Sequence, residues 1–207
     1  MTELASSPSR HRSAGALERV IRRAGARRGE SEQRCELCSV PVLADHRHML
    51  DTERGEVMCA CQACSLLFSK GAASEGHYRL VPRRRVRLPA VSTKDLGVPV
   101  GLAFFVPHAD GTVIAHYPSP AGATQWEVNP SAWAAVLDRH RELRTLEPDV
   151  QALLVNTARD QQQHWLVPID DCFRLVAVVR REWKGLSGGS RVWPEIEQFF
   201  AELTEQR

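Results

Sequence analysis

The sequence predicts an α+β protein: a small treble-clef or zinc-ribbon-like metal module, followed by an antiparallel sheet covered by about three helices. Three observations carry that expectation. Two C-x-x-C pairs, Cys35/Cys38 and Cys61/Cys64, lie one hairpin's length apart. Apolar runs of strand length, bounded by Gly, Pro and Asp, recur between Val98 and Ile169. Apolar residues also return at helical spacing after Asn129, Asp170 and Gly189.

The 207 residues, 43% of them hydrophobic, suffice for one medium domain or for a small and a larger one. A net charge of +2 gives the whole chain no push toward nucleic acid or a membrane surface. No apolar run approaches the roughly 20 residues needed to span a bilayer. Five of the six cysteines fall between Cys35 and Cys64, and the Arg-rich start lacks the apolar core of a signal peptide. These features read as a cytoplasmic protein whose thiols are reserved for metal rather than disulfides. The oligomeric state is not written in the sequence.

Residues 1–30 carry seven arginines against three glutamates and read as a mobile basic tail, with Leu17, Val20 and Ile21 able to form only a transient helix. Residues 31–76 form the thiolate metal-binding module. Cys35 to Cys38 suits a metal knuckle, Val40 to Leu50 and Val57 to Cys59 suit a hairpin turning near Arg54-Gly55, and Cys61 to Lys70 reads as a helix with Cys64, Leu67 and Phe68 on one face. That order puts the second pair at a helix N-terminus, whose positive dipole end favours thiolate charge. The predicted ligands are Cys35, Cys38, Cys61 and Cys64.

Cys59 stands two residues from Cys61 and could exchange roles with it. His46 and His48 are also two apart, and on a strand they share a face. Three readings follow: the histidines are exposed strand residues and Cys59 a buried thiol; one of them enters a mixed site; or His46, His48 and Cys59 form an additional metal site. Ser39 and Ser65 stand where rubredoxin-type iron knuckles place glycine after the pair, which favours zinc, with iron the alternative. Asp45-His46-Arg47-His48 faintly resembles an HNH nuclease strand, but Ser65 to Ser69 offer no further His or Asn ligand.

Residues 77–207 read as the α+β domain. From His77 to Pro89 the chain is extended and basic, with Arg79, Arg83, Arg84, Arg85 and Arg87 on a solvated face. A phosphate-binding surface is the sharper alternative, and the lack of interleaved aromatics disfavours nucleic acid. Val98 to Val106 is a buried strand, Ala109-Asp110-Gly111 a hairpin turn, Thr112 to Tyr117 a strand, and Pro118 to Gly122 a rigid loop leaving the sheet. Asn129-Pro130 starts a helix carrying Trp133, Val136 and Leu137. His140 falls at its boundary. Val150 to Asn156 and Trp165 to Ile169 are strands, and Asp170 caps a helix carrying Cys172, Leu175, Val176 and Val179, with a strand over Phe173 to Val179 as the competing reading. A last amphipathic helix carries Trp193, Ile196, Phe199, Phe200 and Leu203.

Two apparent catalytic motifs are weak. Gly185 to Gly189 matches G-x-S-x-G, yet no His or Asp follows Ser187. Cys172 with His164 could form a reactive thiol in a helix's first turn, although its place on the apolar face favours a buried structural role.

Several blocks together resemble a known family: Cys35-x-x-Cys38 with Asp45-His46-Arg47-His48, the run Cys59-Ala60-Cys61-x-x-Cys64, Val100 to Phe105, Tyr117 to Thr124, Trp165 to Cys172 and Gly185 to Gly189. It is a family of unknown biochemical function whose genes accompany nickel-iron hydrogenase clusters in actinobacteria. The resemblance covers Arg34 to the C-terminus. It implies an accessory role in assembling, maturing or serving electrons to a hydrogenase, with another protein of that system as partner, and it assigns no role to any residue. The leading expectation is thus a metal-binding accessory protein. Its rival is an iron-thiolate redox carrier or cysteine-dependent enzyme, and a weaker third is a nucleic-acid-binding zinc module.

Overall fold

Strands buried on both faces lose the apolar/polar alternation of a half-exposed sheet, and this explains the continuous apolar runs of the C-terminal part. In the computed structural model, which describes residues 33–69, 76–93, 96–97, 101–185 and 189–205, β8 (Gln151–Asn156) is buried at all six positions. It lies inside a six-stranded antiparallel sheet. The order is β4 (Val86–Arg87), β9 (Gln163–Pro168), β8, β5 (Leu102–Pro107), β6 (Val113–Ser119) and β7 (Gly122–Glu127).

Period-two alternation sorts the side chains of this sheet into two cores. Phe104, Ala152, Leu154, Trp165 and Val167 pack with Cys172, Leu175 and Val179 of α3 (Ile169–Glu182) and with Ile196, Phe199, Phe200 and Leu203 of α4 (Val192–Glu205). Ala103, Phe105, Leu153, Val155 and Leu166 face the other way. They meet Trp133 and Val136 of α2 (Pro130–Arg139), Leu143 of the following 3-10 turn, and Leu88 and Val91. The result is helices on both sides of one antiparallel sheet. Asn129 caps α2 as its residue type predicts, its Oδ1 accepting from the N–H groups of Ser131 and Ala132 at 2.9 and 3.2 Å, with Pro130 in the first turn.

A second, three-stranded sheet has the order β2 (Glu56–Ala60), β1 (Arg47–Asp51), β3 (Tyr78–Leu80), and α1 (Gln62–Phe68) lies against β1 and β3. β3 follows residue 76, so the pairing with β1 brings the start of the C-terminal segment into the metal module's sheet. Leu50 and Val81 join the α3/α4 core.

Several expectations need correction. Pro118 to Gly122 is not a loop outside the sheet: β6 runs through Pro118 to Ser119, and β7 returns against it with Pro118 opposite Ala123. The registered pairing of β6 with β5 covers Val113 to His116, so the N–H that Pro118 lacks costs no bond on that side. β7 escaped sequence reading because four of its six residues are exposed and its edge position demands no apolar pattern. β1 begins at Arg47 rather than near Val40. In α3, Pro168 occupies the N-cap position without a side-chain bond, and Asp170 and Asp171 sit inside the first turn. In α1, Cys64 and Ser65 are the buried residues, while Leu66 and Leu67 are each 58% exposed, because this short helix packs through its first turn and through Phe68 against the Tyr78 ring. The basic tail over residues 1–30 and Leu186-Ser187-Gly188 of the G-x-S-x-G match lie outside the described residues.

The arginine run is exposed at Arg83, Arg84 and Arg87, as a solvated face requires, but its guanidinium groups also find partners within the chain. Arg79 donates to Asp149 at 2.9 Å, Arg84 to the Thr145 hydroxyl at 2.9 Å, and Arg83 to Asp45 and to the His46 carbonyl at 3.1 Å. The Arg87 guanidinium lies 5.9 Å from the Trp165 ring centroid. Arg85 makes the tightest of these ties, a two-pronged pair with Asp171 at 2.6 and 3.0 Å, in which the carboxylate is 4% exposed. Burial raises the Asp171 pKa, and the Arg85 guanidinium opposes that rise.

Because removing one member strands a buried charge, Arg85→Ala is expected to lower stability by on the order of 3 kcal/mol, read as a lower urea midpoint. Arg85→Met combined with Asp171→Leu should recover most of the loss.

Candidate metal centre

The first C-x-x-C pair sits in a tight turn closed by backbone bonds. Ser39 N–H donates to the Cys35 carbonyl at 2.7 Å and Cys35 N–H to the Val40 carbonyl at 2.9 Å. Arg34 holds the turn from outside by donating to the Ser39 carbonyl at 3.0 Å. Ser39 has φ +61°, the left-handed conformation that glycine would supply in an iron knuckle. The missing glycine therefore does not mean a missing knuckle, and the sequence argument for zinc over iron loses force.

The second pair is placed by α1. Cys61 is its N-cap, with extended backbone and a sulfur that accepts from Cys64 N–H at 3.4 Å. Glu36 clips the knuckle beside β2: its N–H donates to the Cys59 carbonyl at 2.9 Å, and its carboxylate accepts from Cys59 N–H at 2.8 Å. These contacts gather Cys35, Cys38, Cys61 and Cys64 so that their sulfurs all lie within 4.8 Å of one another. The Cys38 and Cys61 sulfurs are 3.7 Å apart. A tetrahedron with metal–sulfur arms of about 2.3 Å has sulfur–sulfur edges of about 3.8 Å, so four cysteines in this arrangement could hold one metal ion.

Without an ion these thiols cannot all ionise side by side. Burial opposes ionisation of Cys35, but backbone hydrogen bonding from Cys61, Cys38 and Leu37 outweighs it and brings the thiol down to about 6. Burial and the neighbouring sulfurs push Cys64 strongly upward. A bound cation reverses that balance by favouring every thiolate at once.

Cys59 does not join the four. Register pairs His48 with Cys59 directly across β1 and β2, and His46 stands two residues before His48. One ligand atom from each of His46, His48 and Cys59 falls within 4.8 Å of the others, forming a second group. The two imidazole rings meet edge to face with centroids 4.7 Å apart. His48 Nδ1 lies 2.7 Å from Asp170 Oδ2, and His46 Nδ1 lies 2.8 Å from the Leu43 carbonyl. Asp170 was invisible to sequence reasoning as a partner of this cluster, since 122 residues separate it from His48. His46, His48 and Cys59 line a cleft of about 1500 Å³ shared with Glu36, Arg85 and Phe173. His46 also borders a smaller cavity of about 650 Å³, together with Cys61, Ser65 and Leu66.

Cys172 has none of the surroundings of a nucleophile. It is fully buried, and burial, followed by the Asp171 and Asp170 carboxylates, pushes its thiol well above the usual range. His164 belongs to the opposite face of the sheet, where its Nδ1 accepts from Val91 N–H at 3.3 Å. Sheet alternation thus keeps the two apart. His140 ends α2 as its C-cap, away from both clusters.

With metals stripped by chelator under native conditions, iodoacetamide should label Cys38, Cys59 and Cys61 well before Cys172, as read by peptide mass spectrometry over time. Early labelling of Cys172 would show that the helix face opens.

The family comparison agrees with the extent of these elements. A model described as a family of unknown function, DUF5947, matches residues 34–207, which include the knuckle, both sheets and α1 to α4. No curated protein and no solved structure matches the chain. The match takes in both cysteine pairs, both histidines and the α3 residues that reach them, and the chain belongs to the DUF5947 family.

Proposed function

We propose that this chain is a metal-binding accessory protein in which Cys35, Cys38, Cys61 and Cys64 hold a structural zinc ion and the α+β domain of residues 77–207 makes contacts with another protein. The observation that carries this reading is the cluster of four sulfurs, all within 4.8 Å of one another, with those of Cys38 and Cys61 3.7 Å apart. In the α+β domain Trp126 and Phe173 are 64% and 40% exposed, large apolar side chains open to a protein partner, and Leu43, Leu66 and Leu67 of the module are exposed as well. Assembly or maturation of a nickel-iron hydrogenase, in a reducing cytoplasm, is the setting given by the resemblance of the motif blocks and by nothing else. No helix among the described residues is long and apolar enough to cross a membrane.

One observation favours a second reading. The left-handed Ser39 gives the first knuckle the turn that an iron-thiolate centre uses, so the redox-carrier alternative stays open at this site. Cysteine-dependent catalysis through Cys172 has no such support. The internal engagement of Arg79, Arg83, Arg84 and Arg85 also weakens the nucleic-acid reading.

Metal analysis of protein purified without added metal tests the reading. Zinc that disappears in Cys38→Ser supports it; iron with the red colour of a ferric tetrathiolate selects the second reading; no metal at the four sulfurs overturns both.

A module this small gains much of its folding free energy from the ion. Chelation should therefore remove hydrogen-exchange protection from residues 34–69 while β5, β8 and β9 keep theirs. The pH dependence follows from the thiols. Metal ligation depresses their pKa in the folded state, so the stability it contributes is present at neutral pH and is lost as pH falls and protons compete for sulfur. Zinc release on acidification, followed with a chromogenic chelator, should coincide with that loss of protection.

A further inference from the structure

We propose a second metal site, built from His46, His48 and Cys59, which binds a divalent ion of the zinc class through three side chains and keeps a fourth position open to the cleft. Its geometry follows from one antiparallel register. His48 and Cys59 are directly opposed on β1 and β2, and opposed residues project to the same side of the sheet. His46 precedes β1 by one residue and turns its ring against that of His48. The three candidate ligand atoms lie within 4.8 Å of one another, close enough for one ion to reach all three with arms of about 2.0 to 2.3 Å.

Hydrogen bonding then fixes the tautomers. A carboxylate oxygen and a peptide carbonyl can only accept, so His48 Nδ1 donates to Asp170 and His46 Nδ1 donates to the Leu43 carbonyl. A neutral ring held in this way presents an unprotonated Nε2 at each histidine. The Nε2 of His46 is buried and has no hydrogen-bond partner among the described residues, a costly arrangement that a coordinated cation relieves. Asp170 behind His48 reproduces the carboxylate–histidine–metal relay that orients a ligand imidazole and raises its basicity. Two further supports hold the donors. Arg83 fixes the chain at Asp45 and His46 through three bonds of 3.1 Å. The Glu36 carboxylate holds the Cys59 backbone.

Two imidazoles and one thiolate suit zinc, and three protein ligands beside a cleft of about 1500 Å³ leave room for water or a small anion as the fourth. The four-cysteine cluster has its full ligand set and no such vacancy. The two sites therefore differ in kind, one closed and one open to exchange.

The test uses the full chain, stripped and reloaded with zinc alone, in competition with a chromogenic chelator. Wild type should take up two ions per chain; Cys59→Ser should take up one. Asp170→Asn, which removes no ligand, should keep both ions but bind the second about 10-fold to 100-fold more weakly. The proposal is overturned if wild type saturates at one ion that survives Cys59→Ser, or if Asp170→Asn leaves the second affinity unchanged. Loading with cobalt tests the open position: azide should alter the absorption of the ion lost in Cys59→Ser, and no alteration would overturn the vacancy. Loss of an ion in Cys59→Ser but not in Cys38→Ser would support this site while overturning the structural-zinc reading, so the two fail separately.

Discussion

A strand sends successive side chains to opposite faces, and the β1–β2 hairpin uses both. Met49, Met58 and Ala60 fall on one face, the side on which β3 carries Tyr78 to meet Phe68 of α1. His48, Leu50, Val57 and Cys59 fall on the other, where Leu50 and Val57 enter the core beneath α3 and α4. A slip of one residue in this register would send the His/Cys group to the α1 side and expose the leucine. The Glu36–Cys59 clip opposes that slip, because it ties the metal knuckle to one residue of β2. A single two-stranded ribbon thus separates a four-sulfur cluster from a nitrogen-rich one only a few residues away.

The first turn of α3 is where the large layer reaches the module. Three consecutive residues have three tasks: Asp170 accepts from His48, Asp171 pairs with Arg85, and Cys172 enters the core. Helical geometry makes this division natural, since neighbours about 100° apart around the axis face different surroundings. The helix starts without a side-chain cap, and two carboxylates in its first turn complement the positive end of its dipole. The same charges serve as acceptors for the module. Arg79 on β3 adds a further tie through Asp149, which also accepts from His108 at 2.8 Å.

What the sequence revealed were features decided by near neighbours. The C-x-x-C pairs, the Gly55 turn at φ +67°, the Asn129-Pro130 helix start and the apolar face of α4 each depend on residues within a turn or two of one another. Fold class was legible for the same reason. β7 was not, because an exposed edge strand such as Ala-Thr-Gln-Trp-Glu needs no apolar period, and it exists only because β6 offers a free edge. The partners of the arginine run were not legible because charge composition does not disclose them: Arg79, Arg84 and Arg85 find theirs 70, 61 and 86 residues away. Cys59 and Cys61 could not be told apart until the strand end was known. β2 stops at Ala60, and the next residue leaves the sheet to cap α1.

Charge explains why the two clusters sit where they do. A divalent ion with four thiolates carries a net charge of about −2, and sealing that unit in the interior would cost several kcal/mol. The chain instead buries Cys35 and Cys64, leaves Cys38 exposed and Cys61 half-exposed, and sets the unit at the N-terminal end of a helix with Arg34 beside the knuckle. A divalent ion with two neutral imidazoles and one thiolate would carry about +1, which one carboxylate cancels. Asp170 is that carboxylate, 22% exposed and lining the same cleft. The four-cysteine unit reaches solvent through Cys38 and Cys61, whereas His46, His48 and Cys59 are all half-buried with Asp170 beside them. Ligand chemistry and neighbouring charge therefore agree at both places, because exchanging the two ligand sets would set the anionic unit against the Asp170 carboxylate and the cationic one against Arg34 and the positive end of α1.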